Sequence, residues 1–202
     1  MGKSETLVSP YPPGYFAPGI DRAAYPALFE FLHAKGYAIE KEAISMDAPI
    51  VLFQVSESIV ELERRLGESD VRIREFRRED LLKFIRFLES TMPTDWVRVE
   101  RANLKKISNG GFHPSQITVA THDDDIIGYC QFEGSHFGPF GVGDAFQGRG
   151  IGTVILARTL ERMRHRGFHD AWVMWTDDVA AKVYAKFGFR ETRRFAILKK
   201  IL

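Results

Sequence analysis

The residues best suited to chemistry lie in the run Gln147-Gly148-Arg149-Gly150-Ile151-Gly152. Ile151, Ile155, Leu156, Leu160 and Met163 recur at helical spacing, so this run opens an amphipathic helix. The first N–H groups of a helix have no acceptor within it, and the helix dipole adds partial positive charge there. A diphosphate at that end accepts several of those hydrogen bonds. Glycines at 148, 150 and 152 remove the Cβ atoms that would hold phosphates off the backbone. Arg149 can add a charge-assisted bond. Two other phosphate loops fit less well. A dinucleotide loop needs G-x-G-x-x-G and an acidic residue about 20 positions on. A Walker loop needs a Gly-Lys-Ser/Thr ending. The spacing here is G-x-G-x-G, with neither feature.

Ala180, Val183, Tyr184 and Phe187 share one face of a later helix that Gly188 ends. Tyr184 lies 32 residues after Gly152. Taken alone, a tyrosine on such a face reads as packing. Glu133 ends an apolar strand, and His136 follows with a side chain whose ordinary pKa suits proton transfer. Both are candidate bases, although an exposed strand-end carboxylate is the commoner reading of Glu133. Trp96 and His113 could line an acceptor site. The single cysteine, Cys130, sits in the run Ile126-Ile127-Gly128-Tyr129-Cys130 and reads as a buried thiol. One cysteine excludes an intramolecular disulfide. No histidine or cysteine cluster has zinc spacing, so no metal is expected.

The elements that position these residues follow from periodicity and breakers. A chain of 202 residues, 45% hydrophobic and 27% charged, suits one domain or one domain plus a fragment. Residues 9–19 hold four prolines and two glycines and read as an extended connector. A helix starts near Tyr25-Pro26 and ends at Gly36. Tyr37–Met46 reads as a strand and Glu57–Leu66 as a charged helix. Strand Val71–Phe76 precedes a helix marked by Leu81, Phe84, Ile85 and Leu88, and a second helix spans Trp96–Ile107. Gln116–His122 and Ile126–Glu133 form a hairpin about an acidic turn. Strand Phe137–Val142, helix Gly150–Arg166, strand Ala171–Trp175, helix Asp178–Phe187 and strand Phe195–Leu202 complete an α/β order with a mixed sheet. The formal net charge of +1 gives no reason to propose nucleic acid or an anionic membrane as partner. No apolar run approaches the ~20 residues of a membrane span, and no signal peptide is evident. The expectation is a cytoplasmic protein.

The joint pattern V-x-x-x-x-Q-G-R-G-I-G from Val142 to Gly152, then an apolar strand, then D-x-x-A-x-x-x-Y-x-x-F-G-F from Asp177 to Phe189, resembles the GNAT superfamily of N-acyltransferases. The resemblance covers about Gly67 to Leu202. It implies an α/β (α+β) fold with a mixed, mostly antiparallel central sheet, a splayed strand pair and flanking helices. It implies that the backbone of Gln147, Gly148, Arg149, Gly150, Ile151 and Gly152 holds the pyrophosphate of coenzyme A. It also implies that the strand near Phe140 and Val142 pairs with the pantetheine arm, and that Tyr184 protonates the departing thiolate. A thiol near pKa 8.5 is close enough to a phenol near 10 for general-acid help. Asp177 stands where the family often has an asparagine contacting the pantetheine arm, and a carboxylate lacks the N–H donors for that contact. Asp144 stands where the family often has proline. An acceptor amine near pKa 10.4 costs about 4.6 kcal/mol to deprotonate at pH 7, so a base is useful. Glu133 is the first candidate and His136 the second.

Residues 1–66 are expected to form a partial, degenerate GNAT-like or structural segment, and 67–202 the GNAT domain. Phe31-Leu32-His33-Ala34-Lys35-Gly36-Tyr37 parallels Val183-Tyr184-Ala185-Lys186-Phe187-Gly188-Phe189, yet no glycine-rich loop precedes the first copy. This is similar to tandem acyltransferases with one degenerate half. Such a segment would add strands or form a dimer contact, and would not bind a second coenzyme A. The implied function is an N-acetyltransferase moving an acetyl group from acetyl-CoA to a primary amine by direct attack in a ternary complex. The partner is a small-molecule or peptide amine, and a homodimer is possible. The alternative is a catalytically silent CoA-binding regulator or scaffold; a third reading is an O-acyltransferase or a user of a succinyl-type donor.

Overall fold

The computed structural model describes residues 4–9 and 17–202, so most of the connector expected over 9–19 lies outside the described residues. Along the chain run β1 (Glu5–Val8), β2 (Ile20–Asp21), α1 (Pro26–Ala34), β3 (Ala38–Pro49) and α2 (Glu57–Gly67). Then come β4 (Val71–Glu75), α3 (Leu81–Thr91), α4 (Thr94–Ser108), β5 (Ile117–His122), β6 (Asp125–Glu133) and β7 (His136–Val142). The chain closes with α5 (Ile151–His165), β8 (Asp170–Thr176), α6 (Asp178–Ala185) and β9 (Arg190–Ile201). The architecture is α/β, with mostly antiparallel strand pairing and flanking helices. The expected helices and longer strands are all present. The short β1 and β2 were not anticipated, and β9 begins at Arg190 rather than Phe195. The chain divides into two compact units, one of Met1–Ala48 with Trp172–Leu202 and one of Pro49–Ala171. The division expected between residues 66 and 67 falls inside the second, at the end of α2.

In the unit of Pro49–Ala171, β4, β5, β6 and β7 pair antiparallel in sequence order. Side chains alternate across a strand, so this sheet has two different coats. On one face Tyr129 of β6 packs into a core with Phe84, Phe87 and Leu88 of α3, and Val97 and Leu104 of α4 lie against that core. On the other face lies α5. Its Ile155 Cδ1 sits 3.0 Å from where a Cβ on Gly128 of β6 would be, so the glycine permits close contact. Eight residues of α5 are buried, including Ile151, Val154, Leu156 and Leu160. Complete burial of such a side chain is worth about 1.5–3 kcal/mol. The inward polar Thr159 is satisfied, donating to Ile155 O at 2.8 Å and accepting from the Thr118 hydroxyl at 2.9 Å. Helix α2 lies against α5, and Arg158 bridges to Glu63. The β6–β7 register sets Cys130 opposite Phe140 but Phe132 opposite Phe137. One extra residue therefore bulges from β7 at Gly138-Pro139, where proline has no N–H to give a ladder.

In the other unit β9 is flanked by β1 and β2 on one side and by β3 on the other, and β8 follows β3. The sequence echo becomes a physical pair here. Both Gly36 and Gly188 have positive φ, at 83° and 86°, and both end a helix before a strand. Ala43 and Phe195 stand seven residues beyond those two glycines, and they are direct partners in the antiparallel register. The two helix–glycine–strand copies thus meet at equivalent positions, as a local two-fold arrangement requires. Ala43, Phe195 and Ile197 form one buried cluster, and Ile20, Ala196 and Leu198 another. Arg194 ties the copies with bonds to Glu42 at 3.0 Å, Asp178 at 3.2 Å and Glu191 at 2.7 Å.

The entry to α3 depends on a buried carboxylate. Asp80 receives Arg74 Nη1 at 2.6 Å, Arg74 Nη2 at 2.8 Å and the Arg77 N–H at 2.7 Å. Burial by itself would raise the Asp80 pKa, but these donors outweigh it and hold the carboxyl below its ordinary value. The stability it contributes is present above the ordinary carboxylate range and is lost as pH falls through its depressed value. Asp80→Asn should cost about 2 kcal/mol at neutral pH in urea melts. The gap from wild type should narrow as pH is lowered toward about 3.

Candidate functional site

The glycine-rich run forms the approach to α5. β7 ends at Val142, a turn covers Asp144–Phe146, and Gln147 to Gly150 lead into the helix. Gly150 is the N-terminal flanking residue, with φ 83°, and no side chain caps this end. The first bond of the helix is Val154 N–H to Gly150 O at 3.2 Å. The N–H groups of Ile151, Gly152 and Thr153 therefore find no acceptor among the described residues. A 15-residue helix presents them with its full dipole. An anion with several oxygens is the chemical complement.

The side chains of the loop brace it. Gln147 Nε2 donates to Val142 O at 3.0 Å and to Asp144 Oδ1 at 2.9 Å. Asp144 thus has a role: with Val142 O it is an acceptor that pins Gln147. Arg149 folds back, donating to Ala145 O at 3.2 Å with its guanidinium 5.3 Å from the Phe146 ring centre. The loop is braced by these side chains, and the backbone N–H groups at the start of α5 stay open. A Cβ on Gly150 would lie 2.8 Å from Leu62 Cδ2, in a left-handed conformation that side chains disfavour. A Cβ on Gly152 would lie 3.1 Å from Phe140 Cζ, so that glycine lets the first turn of α5 approach β7. Phe140 and Val142 are half-buried on β7.

Glu133 and His136 are brought together as direct partners across the β6–β7 turn. Glu133 is exposed and pairs with Lys106 at 3.3 Å. Burial lowers the His136 pKa, and the neighbouring Glu133 opposes that shift. His113 flanks a short turn at Pro114–Gln116, accepting from Ser115 N–H at 3.2 Å and facing Arg166 Nη2 at 3.3 Å. Trp96 lies over β7, 3.8 Å from the Cβ position of Gly141. Cys130 is fully buried, and burial pushes its thiol up to about 12. Tyr184 is buried in α6, its ring 5.9 Å from Phe189. Asp177 caps that helix: its Oδ1 accepts from Val179 N–H at 2.9 Å and Ala180 N–H at 2.8 Å. One residue went unmarked in the sequence. Glu100 of α4 has no exposed surface. Helical charges at this density normally sit on a solvated face, so only packing could single it out.

A family model described as the acetyltransferase (GNAT) domain matches residues 113–191, which include the open helix start, Asp177 and Tyr184. Solved GNAT structures share the fold of this chain. The fungal GCN5-related glucosamine N-acetyltransferase region of a multi-domain GH3 β-N-acetylglucosaminidase superposes with a TM-score of 0.78 at 16% identity, over 94% of this chain and 25% of that one. A GCN5-related N-acetyltransferase from Sphaerobacter thermophilus gives 0.64 at 16% identity, over 87% and 56%. A tandem GNAT protein from the clavulanic acid biosynthesis pathway gives 0.56 at 15% identity, over 98% and 63%. The chain thus spans less than two thirds of each of those chains. No curated protein matches the sequence. Among the described residues no cluster of His, Cys, Asp or Glu could hold a metal ion, and no helix is long and apolar enough to cross a membrane.

Within this loop Gly150 is the glycine with both a steric and a conformational requirement. Gly150→Ala should lose about 1–2 kcal/mol of stability in thermal melts. It should also weaken coenzyme A binding by about tenfold or more in calorimetry. Unchanged affinity would remove the loop from ligand binding.

Proposed function

We propose that the protein is an acyl-CoA-dependent N-acetyltransferase that moves an acetyl group from acetyl-CoA to a primary amine in a ternary complex. The observation that carries this reading is the open first turn of α5, whose N–H groups have no acceptor among the described residues. Gln147 to Gly152 hold the pyrophosphate through backbone N–H groups, with Gln147 and Arg149 keeping the loop in shape. Phe140 and Val142 offer the edge for the pantetheine arm. Tyr184 supplies the proton to the leaving thiolate. The Asp177 carboxylate serves α6 as its cap, and its part in pantetheine binding is limited to the second oxygen. Glu133 and His136, facing each other at the β6–β7 turn, assist removal of the amine proton. Residues 1–66 contribute strands and no second coenzyme A site. We further propose a cytoplasmic setting.

A glucosamine N-acetyltransferase region is among the proteins of similar fold, so amino sugars are the first acceptors to test. The experiment incubates the protein with acetyl-CoA and a panel of amino sugars, polyamines and peptide amines, and follows thiol release. Turnover of one class supports the enzyme. Tight coenzyme A binding without turnover would favour the silent CoA-binding regulator. Tyr184→Phe should keep coenzyme A affinity and lower the rate by about 10²–10⁴-fold. Equal rates would remove Tyr184 from the mechanism.

A further inference from the structure

An open cavity of about 480 Å³ lies beside the turn that leads to α5. Its walls come from α3 with Lys83, Arg86 and Ser90, from the start of β6, and from the turn Asp144–Phe146. All of these belong to the unit of Pro49–Ala171. The base is close-packed: a Cβ on Gly143 would lie 3.7 Å from Phe87 Cε2 and 3.8 Å from Thr91 Cγ2. The volume is that of an ordinary small-molecule pocket. Gln147 follows Phe146 directly, so the cavity adjoins the glycine-rich run without being part of it.

The charged lining consists of the cations Lys83 and Arg86 and the carboxylates Asp125 and Asp144. Two of these are already engaged. Lys83 donates to Asp124 O at 3.0 Å and pairs with the carboxylate of the same residue. Asp144 accepts from Gln147 Nε2 at 2.9 Å. Arg86 and Asp125 are exposed, and their side chains have no ion pair or hydrogen bond among the described residues. A guanidinium with all its N–H donors left to water is a ready seat for a phosphate. The balanced charge gives no net attraction to a ligand that is only anionic. It suits one that brings a phosphate to Arg86 and an amino group to a carboxylate. Phe146 adds an aromatic wall, with its ring centre 5.3 Å from the Arg149 guanidinium and 5.4 Å from the His122 ring. Stacking on such a ring suits any nucleobase.

Coenzyme A has that composition at the end remote from its thiol. The ribose bonded to the pyrophosphate carries a second phosphate at its 3′ oxygen. It also carries adenine, whose amino group is a hydrogen-bond donor. The cavity wall ends one residue before the run whose helix start has open N–H groups, so both features can serve one molecule. We propose that the cavity receives the 3′-phosphoadenosine end of coenzyme A, with Arg86 on the 3′-phosphate and adenine against Phe146. Arg86 is then a specificity-determining residue, which separates coenzyme A from its 3′-dephospho form. The proposal rests on the coenzyme A reading of the α5 start.

The test is calorimetry of the full chain with coenzyme A and with 3′-dephospho-coenzyme A, without any acceptor amine. Wild type should bind coenzyme A about tenfold more tightly than the dephospho form, which lacks the charge-assisted bond. Arg86→Ala should lower coenzyme A to the dephospho level and leave the dephospho form unchanged, so the two losses do not add. Arg86 is exposed, so the variant should melt with the wild type. Ser90→Trp fills the cavity from the exposed side of α3 and should weaken both coenzymes by about tenfold. Equal affinity of wild type for the two coenzymes overturns the proposal alone and leaves the reading of the α5 start in place. A preference that survives Arg86→Ala overturns it too, because the 3′-phosphate is then held elsewhere. Unchanged affinities in Ser90→Trp overturn the cavity as the seat of the adenosine. If wild type binds neither coenzyme, the reading of the α5 start falls, and this proposal falls with it.

Discussion

The arrangement depends on one contact, the seating of the first turn of α5 against β7. The helix must bury almost an entire face on the sheet and still leave its first N–H groups open. Gly152 against Phe140 and Gly128 beneath Ile155 bring the backbone of the helix close to β6 and β7. Gly150 turns the chain into the helix in a left-handed conformation over Leu62 of α2. Burial of Ile151, Val154, Ile155 and Leu156 then fixes the helix axis. The open end is stable because the cost of unsatisfied N–H groups is small at an exposed terminus and their dipole is useful there.

Side chains around that end do mechanical work. Gln147 and Asp144 close the loop on β7, and Arg149 lies on Phe146. Arg149 gives one bond to Ala145 O and lies near the Phe146 ring, so its side chain braces the loop while the peptide dipoles add local positive charge at the helix start. That fits a chain with a net charge of only +1, in which attraction for a polyanion has to be local. The same economy appears at α6, where Asp177 is spent as a cap.

On the opposite face of the sheet, α3 and α4 bury a mostly apolar core that also takes in Glu100, Asn103, Tyr129 and Gln131. Apolar residues there would stabilise more, so the polar group stands out as a departure from what packing favours.

The sequence alone determined the helices, the longer strands and the glycine-rich approach to α5. These are written in local signals: the 3.6-residue period of Ile151 to Met163, the glycines at 148, 150 and 152, and the helix-ending Gly36 and Gly188. It also contained the echo of residues 31–37 in 183–189. Only the tertiary structure decided that Ala43 and Phe195 of those copies would pair, that β9 would start at Arg190, and that β1 and β2 would exist. Strand limits at Arg190–Arg194 come from a partner strand, because four of the five residues are charged and show no apolar alternation. The roles of Asp144 and Asp177 needed the loop and cap geometry. Glu100 was invisible for the same reason: a carboxylate in a charged helix reads as solvated until the fold places β6 against it.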